Sequence, residues 1–295
     1  MAKVRFPMTE RLKRKVKRWL HSPIIDVEEL VVGKNVNIEA GVEIHCKRLV
    51  LGDGVEIKSG TRIEMIDLVI GDYTKINNHC LLTGTGWCRI GHNCWFGHFS
   101  VIDSIGTSYI GNGVGVGAHS QLWTHIYFGD ALQGCRFCTH KPLVIGDDVW
   151  FVGHCIVSPI TAQKRSMALV GSVVTTNMEE NHVYAGVPAK DITSQSGPQF
   201  IETSLEEKRS LMERHLQEFI LTHRPRQNRL RIVDRIDTSQ RDFSQFSLSE
   251  RTYIKNHYQE EVDFMRFLCP TKAKFNPTAE TDWIKPYLRP AEMAE

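Results

Sequence analysis

No stretch of this sequence approaches the roughly 18 consecutive apolar residues that a membrane-spanning helix needs. The N-terminus is basic, but no apolar core of about 7–15 residues follows it, so a secretory signal is not expected. Neither sign of charge is in excess. The 36 Lys and Arg residues face 34 Asp and Glu, and a net charge of +2 gives no reason to expect a nucleic acid partner. The eight cysteines are scattered rather than set out as a disulfide framework, so reduced thiols in a cytoplasmic protein are expected. Also missing is the period-two alternation that a β-sandwich would show.

What is present instead is a period of six. An aliphatic or aromatic residue recurs in the order Val32, Ile38, Ile44; Leu51, Ile57, Ile63; Ile70, Ile76, Leu82; Ile90, Phe96, Ile102; Ile110, Val116, Leu122; Ile145, Phe151, Val157. Glycine often follows the marker, as at Gly33, Gly52, Gly71, Gly91, Gly111, Gly117 and Gly146, where it is expected to permit turn angles that other residues avoid. Four residues after each marker the side chain is mostly small or branched, which suits a narrow interior corner. Cys80, Cys94 and Cys155 fall at that position and are read as packing residues. Three short strands then close one triangular coil. Coils begin at 32, 51, 70, 90, 110 and 145, so each has eighteen residues plus a small insertion, with one long excursion. The fold class expected is mainly β: a parallel β-helix over 31–195, preceded by an N-terminal helical segment (1–30) and followed by a mostly α-helical extension (196–295).

The excursion lies between Leu122 and Ile145, where 23 residues stand in place of six. Long loops on rigid scaffolds usually carry function, and this one (123–144) holds His125 at its root and His140 at its return. A neutral imidazole can take the proton of a hydroxyl as that oxygen attacks a thioester carbonyl, so His125 is the candidate general base. His140 follows Cys135-x-x-Cys138, but a second ligand pair at zinc spacing is missing, and no metal is expected.

Thr124-His125, the excursion, and then Lys141-Pro142-Leu143-Val144-Ile145-Gly146-Asp147-Asp148-Val149-Trp150 resemble the signature of the hexapeptide-repeat acetyltransferases. That family includes the galactoside and maltose O-acetyltransferases and enzymes that acetylate bacterial surface polysaccharides. Gly171-Ser172-Val173-Val174-Thr175 and Ala185-Gly186-Val187-Pro188-Ala189-Lys190 are similar to its closing coil. The resemblance implies a left-handed β-helix, a homotrimer, acetyl-CoA in a groove between two subunits, and one catalytic histidine on the loop. By the same resemblance, Trp150 packs beside the site, Gly153 and Val170 line the pantetheine arm, Gly171 is a further cofactor contact, Thr175 lies near the diphosphate, and Pro188 and Lys190 lie at the adenine end. One departure stands out. Ala168-Leu169-Val170-Gly171-Ser172 lacks a glycine that the family usually carries there, which implies a tighter or shifted groove.

His79, His98, His119 and His154 follow second-strand markers by two or three residues and are expected to form a column on one outer corner. Trp123, Tyr127, His98, His119 and His140 are the candidate acceptor contacts.

At the ends, Met8, Leu12, Val16 and Leu20 make an apolar stripe among basic residues over 8–20. This stripe is expected either to cap the open end of the β-helix or to adhere to an anionic membrane, which would place the protein at the inner face of the membrane. Ser204-x-x-Glu207 and Ser247-x-x-Glu250 read as capping boxes opening two helices, the first running to about 221 and the second through Leu268.

The function expected is transfer of an acetyl group from acetyl-CoA to a sugar hydroxyl of a bacterial surface polysaccharide or its precursor. Two alternatives share the fold: N-acetylation of a nucleotide-linked amino sugar, and a zinc enzyme like the γ-class carbonic anhydrases.

Overall fold

A computed structural model describes residues 22–288, with residues 228, 241 and 270 excepted. The basic stretch 8–20 lies outside the described residues. The period of six becomes a parallel β-solenoid whose markers stack rung on rung. The first-strand column runs Leu51, Ile70, Ile90, Ile110, Ile145 and Ala162. The second runs Ile57, Ile76, Phe96, Val116, Phe151, Ala168 and Tyr184. The third runs Ile44, Ile63, Leu82, Ile102, Leu122, Val157 and Val174. These columns form one continuous apolar core. Residues beyond eighteen per coil are taken up at the third corner. In the early coils it is a bend inside the long strands Glu43–Leu51, Arg62–Ile70 and Leu81–Ile90.

Packing in such a core leaves little room for collapse around a void. Phe151 is fully buried, and Phe151→Ala is predicted to cost about 3–5 kcal/mol in chemical denaturation. A loss under about 1 kcal/mol would show that this column is not tightly packed. The inward cysteines behave as small apolar groups. Burial pushes the Cys80 thiol up to about 11 and the Cys94 thiol up to about 12, and Cys155 is buried as well.

The glycines after the markers have a different cause from the one expected. Gly52, Gly71, Gly91 and Gly111 do not adopt positive φ. They are glycines because the coil above sits on them: a Cβ on Gly71 would come within 2.5 Å of the Gly91 carbonyl carbon. Left-handed angles occur instead three residues after the marker. They are carried by Tyr73, Asn93, Gly113, Asp148 and Arg165 at the first corner, and by Gly60, His79, Phe99, His119, His154 and Gly171 at the second.

The ladder starts ahead of Val32. Strand Ile24–Val32 pairs with Glu43–Leu51, and its Ile24, Leu30 and Val32 remain exposed at the open end. No helix among the described residues is long and apolar enough to cross a membrane.

Beyond the solenoid, Ser204 caps helix Leu205–His223 with both bonds of the capping box. The second expected capping box is a correction. Ser247 Oγ does accept from the Glu250 amide at 3.3 Å, but the chain there is the turn between strands Ser244–Ser247 and Thr252–Tyr253. The helix begins only at Gln259 and runs to Leu268. A Ser-x-x-Glu spacing satisfies a tight turn as well as a helix start. Those two strands belong to a four-stranded sheet with Leu230–Val233 and Asn276–Pro277 that the sequence reading did not contain. Sheet and helices share a second core around Phe219, Phe246, Tyr253 and Phe264. This extension sits on the first corner of the solenoid, where Arg251 forks onto Asp148 at 2.5 and 3.0 Å and Lys274 Nζ donates to the Gly113 carbonyl at 2.6 Å.

Candidate active site

The excursion leaves the solenoid at the third corner and folds as a β-ribbon. Strand His125–Tyr127 pairs antiparallel with Cys138–His140. Its root is closed by the Lys141 amide donating to the Thr124 carbonyl at 2.8 Å, and by the Gly106 amide donating to Thr124 Oγ1 at 2.9 Å. Gly106 has to be glycine here, since a Cβ would meet Lys141 O at 2.5 Å and Thr124 O at 2.7 Å.

One coil below the root, Asp103 is 1% exposed. Its Oδ2 accepts from the Thr124 amide at 3.0 Å, from the Thr124 hydroxyl, and meets His125 Nδ1 at 2.9 Å. A carboxylate accepts but does not donate, so Nδ1 carries the proton and Nε2 is left as the basic nitrogen. The His125 side chain is 22% exposed, enough for a reactant to reach it. Asp103 Oδ1 is buried and has no partner among the described residues.

Asp103 was not found from the sequence. It follows marker Ile102 as Trp123 follows Leu122, one rung beneath the loop root. Stacking the coils in register was the signal that could have shown it.

The ribbon brings together four of the expected residues. His140 lies directly across from His125, with Tyr127 on the same face two residues on. Trp123 stands edge-on to His125 at 6.0 Å between ring centroids.

The expected histidine column also forms, but with a substitution in it. His79, Phe99, His119 and His154 stack with centroids 5.0, 5.0 and 4.9 Å apart. The left-handed position is three residues after the marker, so Phe99 takes the rung and His98 stands one residue aside, exposed. This column is on the second corner. His98 and His119 are therefore not beside His125 within one chain, because a whole third strand, Gln121–Leu122, intervenes.

The residues expected at the cofactor divide in the same way. Gly153, Val170 and Gly171 continue the second corner above His154, the Gly171 amide donating to the Gly153 carbonyl at 2.9 Å. Gly153 and Gly171 both hold positive φ, and Val170 points into open solvent. Trp150 is exposed on the strand leading to that corner. Thr175 follows Val174 on the third corner, in line with Trp123. Pro188 and Lys190 lie in the closing hairpin Val183–Gly186 with Ala189–Asp191.

Among the described residues no group of three or more His, Cys, Asp or Glu side chains has metal-site geometry. The column histidines stack ring on ring instead of converging.

No protein-family model matches the chain. Among solved structures it is similar to a hexapeptide-repeat acetyltransferase of Vibrio cholerae O1 biovar eltor complexed with acetyl coenzyme A, at 19% identity over 63% of this chain and 78% of that one, with a TM-score of 0.30. The N-acyltransferase AntD from Bacillus cereus, complexed with dTDP and 3-hydroxybutyryl-CoA, is 15% identical over 72% of this chain and 97% of its own, with a TM-score of 0.38. The polySia-specific acetyltransferase NeuO is 17% identical over 67% of this chain and 99% of its own, with a TM-score of 0.43.

Proposed function

We propose that the chain is an acetyl-CoA-dependent O-acetyltransferase acting on a sugar hydroxyl, with His125 as general base. The observation that carries this is the His125–Asp103 pair at 2.9 Å, which turns the basic Nε2 away from the carboxylate on a ribbon rooted in the rigid solenoid. Acetyl-CoA supplies an acetyl group activated as a thioester. His125 Nε2 takes the proton of the acceptor hydroxyl as that oxygen attacks, and returns it to the departing thiolate. Asp103 holds the ring and favours the imidazolium that exists between the two transfers. Trp123, Tyr127 and His140 border the acceptor.

Within one chain the cofactor corner and the base are on different corners, so the reading calls for two copies. The second corner of one subunit, with Trp150, Gly153, Val170, Gly171, His98 and His119, faces the ribbon of its neighbour in a homotrimer. The ribbon suits a covered position: Ile126, Tyr127, Phe128, Leu132 and Phe137 are all exposed in the single chain, and patches of this kind mark interaction surfaces.

The test is incubation with isotopically labelled acetyl-CoA and a panel of hydroxylated and amino-bearing glycans, followed by mass spectrometry. Acetyl esters are expected. Amides alone would assign the chain to N-acetylation, and no transfer to any glycan would remove the proposal.

A further inference from the structure

A cavity of about 570 Å³ opens between the solenoid and the C-terminal extension, within the roughly 300–1,000 Å³ of small-molecule sites. It lies on the first corner, whereas His125 is on the third, so it is separate from the candidate active site and does not rest on the function proposed above. Its floor is apolar and closed, made by Met212, Leu248 and Phe275, each nearly inaccessible. Phe200 and Leu211 continue the apolar surface to the rim and are partly exposed there.

The charges around this floor are unbalanced. Arg251 is committed to Asp148, and Lys272 to Glu218 at 2.6 Å. Arg165, Lys208 and Lys274 have no carboxylate at ion-pair distance among the described residues, and against these three cations the lining sets one further carboxylate, Glu202, which leaves an excess of positive charge. Arg165 lies over the Phe200 ring at 5.5 Å from its centroid, and Lys274 spends one donor on a backbone carbonyl, leaving further donors. Arg165 is also fixed by its backbone, in the left-handed region at φ 61 with its amide bonded to the Asp147 carbonyl. An apolar floor with uncompensated cations at its rim is complementary to a ligand with an apolar body and an anionic end.

We infer that this cavity binds an amphipathic anion: an apolar body of small-molecule size bearing a carboxylate or a phosphate. Lys208 and Lys274 take the anionic group, and the body lies over Met212, Leu248 and Phe275.

Calorimetric titration of the full chain with octanoate, octyl phosphate and octanol tests this, the two anions separating a carboxylate source from a phosphate source. At least one anion is expected to saturate a single site per chain and to bind about tenfold or more tighter than octanol. Lys208 is exposed on helix Leu205–His223 with no side-chain partner among the described residues, so Lys208→Glu is expected to keep the fold, checked by circular dichroism. It is expected to weaken the anion about tenfold or more, while Lys47→Glu, an equal charge change on the exposed face of strand Glu43–Leu51, leaves binding unchanged. Equal affinity for octanol and the anions, no binding of either anion, or equal weakening by the two variants would overturn the inference.

Discussion

His125→Ala is expected to lower kcat for acetyl transfer by about 10²–10⁴-fold, the usual contribution of a positioned acid–base group. The thermal midpoint should hardly move, because Asp103 keeps both bonds from Thr124 when the imidazole is gone. The affinity for acetyl-CoA, measured by calorimetry, should also stay, since His125 is read as meeting the acceptor. Asp103→Asn extends the test to a positioning residue. The amide oxygen can still accept from Thr124, so the loop root is retained, but the charge that favours the imidazolium is lost. A fall in kcat on the order of 10²–10⁴-fold is expected, with the KM for acetyl-CoA unchanged. A structural role alone would lower stability and raise KM without that selective loss. Retained turnover in folded His125→Ala would end the assignment of the base. Loss in His125→Ala with full activity in Asp103→Asn would leave the base and remove the role of its partner.

The parts of this molecule written in a local period were legible in its sequence. Each six-residue marker must face inward whatever lies around it, so the solenoid, its inward cysteines and the interruption at Leu122–Ile145 could be read directly. His125 was legible because it sits at that interruption. Asp103 was not, because it belongs to the coil below and meets His125 across 22 positions of sequence. The rung held by Phe99 turned on a single residue of register, fixed by which position takes the left-handed angle. The extension hid its sheet for a related reason. Strands such as Thr252–Tyr253 are only two residues long and have no periodicity of their own, and they form because Phe246, Tyr253 and Phe264 need a common core. Ser247-x-x-Glu250 carries a spacing that helix caps and tight turns share, and only the neighbouring strands decide between them.

The extension is fastened to the solenoid by charge as well as by apolar contact, and the largest expected effect on stability lies there. Lys255 is nearly inaccessible and lies 2.8 Å from Asp53 Oδ2 and 2.5 Å from Asp72 Oδ2, both carboxylates being buried too. Burial alone would push the Asp53 pKa up, but the hydrogen bond and charge of Lys255, together with the Lys34 amide and His257, outweigh it and hold the carboxyl below its usual value. Burial likewise works to lower the Lys255 pKa, and the two carboxylates more than reverse this. Lys255→Met keeps the length of the side chain and removes the charge, leaving two carboxylates buried together. Breaking one side of a buried ion pair costs about 3–5 kcal/mol, and that loss is expected at pH 7 in the unfolding of the extension. The pH dependence should also change. In the unaltered chain the Asp53 contribution is present above the unfolded carboxyl pKa of about 4 and disappears as pH falls through the lower folded value. In Lys255→Met only the Lys34 amide and His257 remain to oppose the burial of Asp53, so its pKa rises and acidification from pH 7 towards about 4 should lessen the loss by neutralising it. Adding Asp53→Asn and Asp72→Asn should recover much of the loss, because Asn can still accept from the Lys34 and Asp53 amides that now bond to the two carboxylates. Denaturant titrations of the three proteins between pH 4 and 7 decide the matter. A Lys255→Met loss that neither shrinks on acidification nor recovers in the triple variant would mean that the side chain contributes by packing rather than by charge.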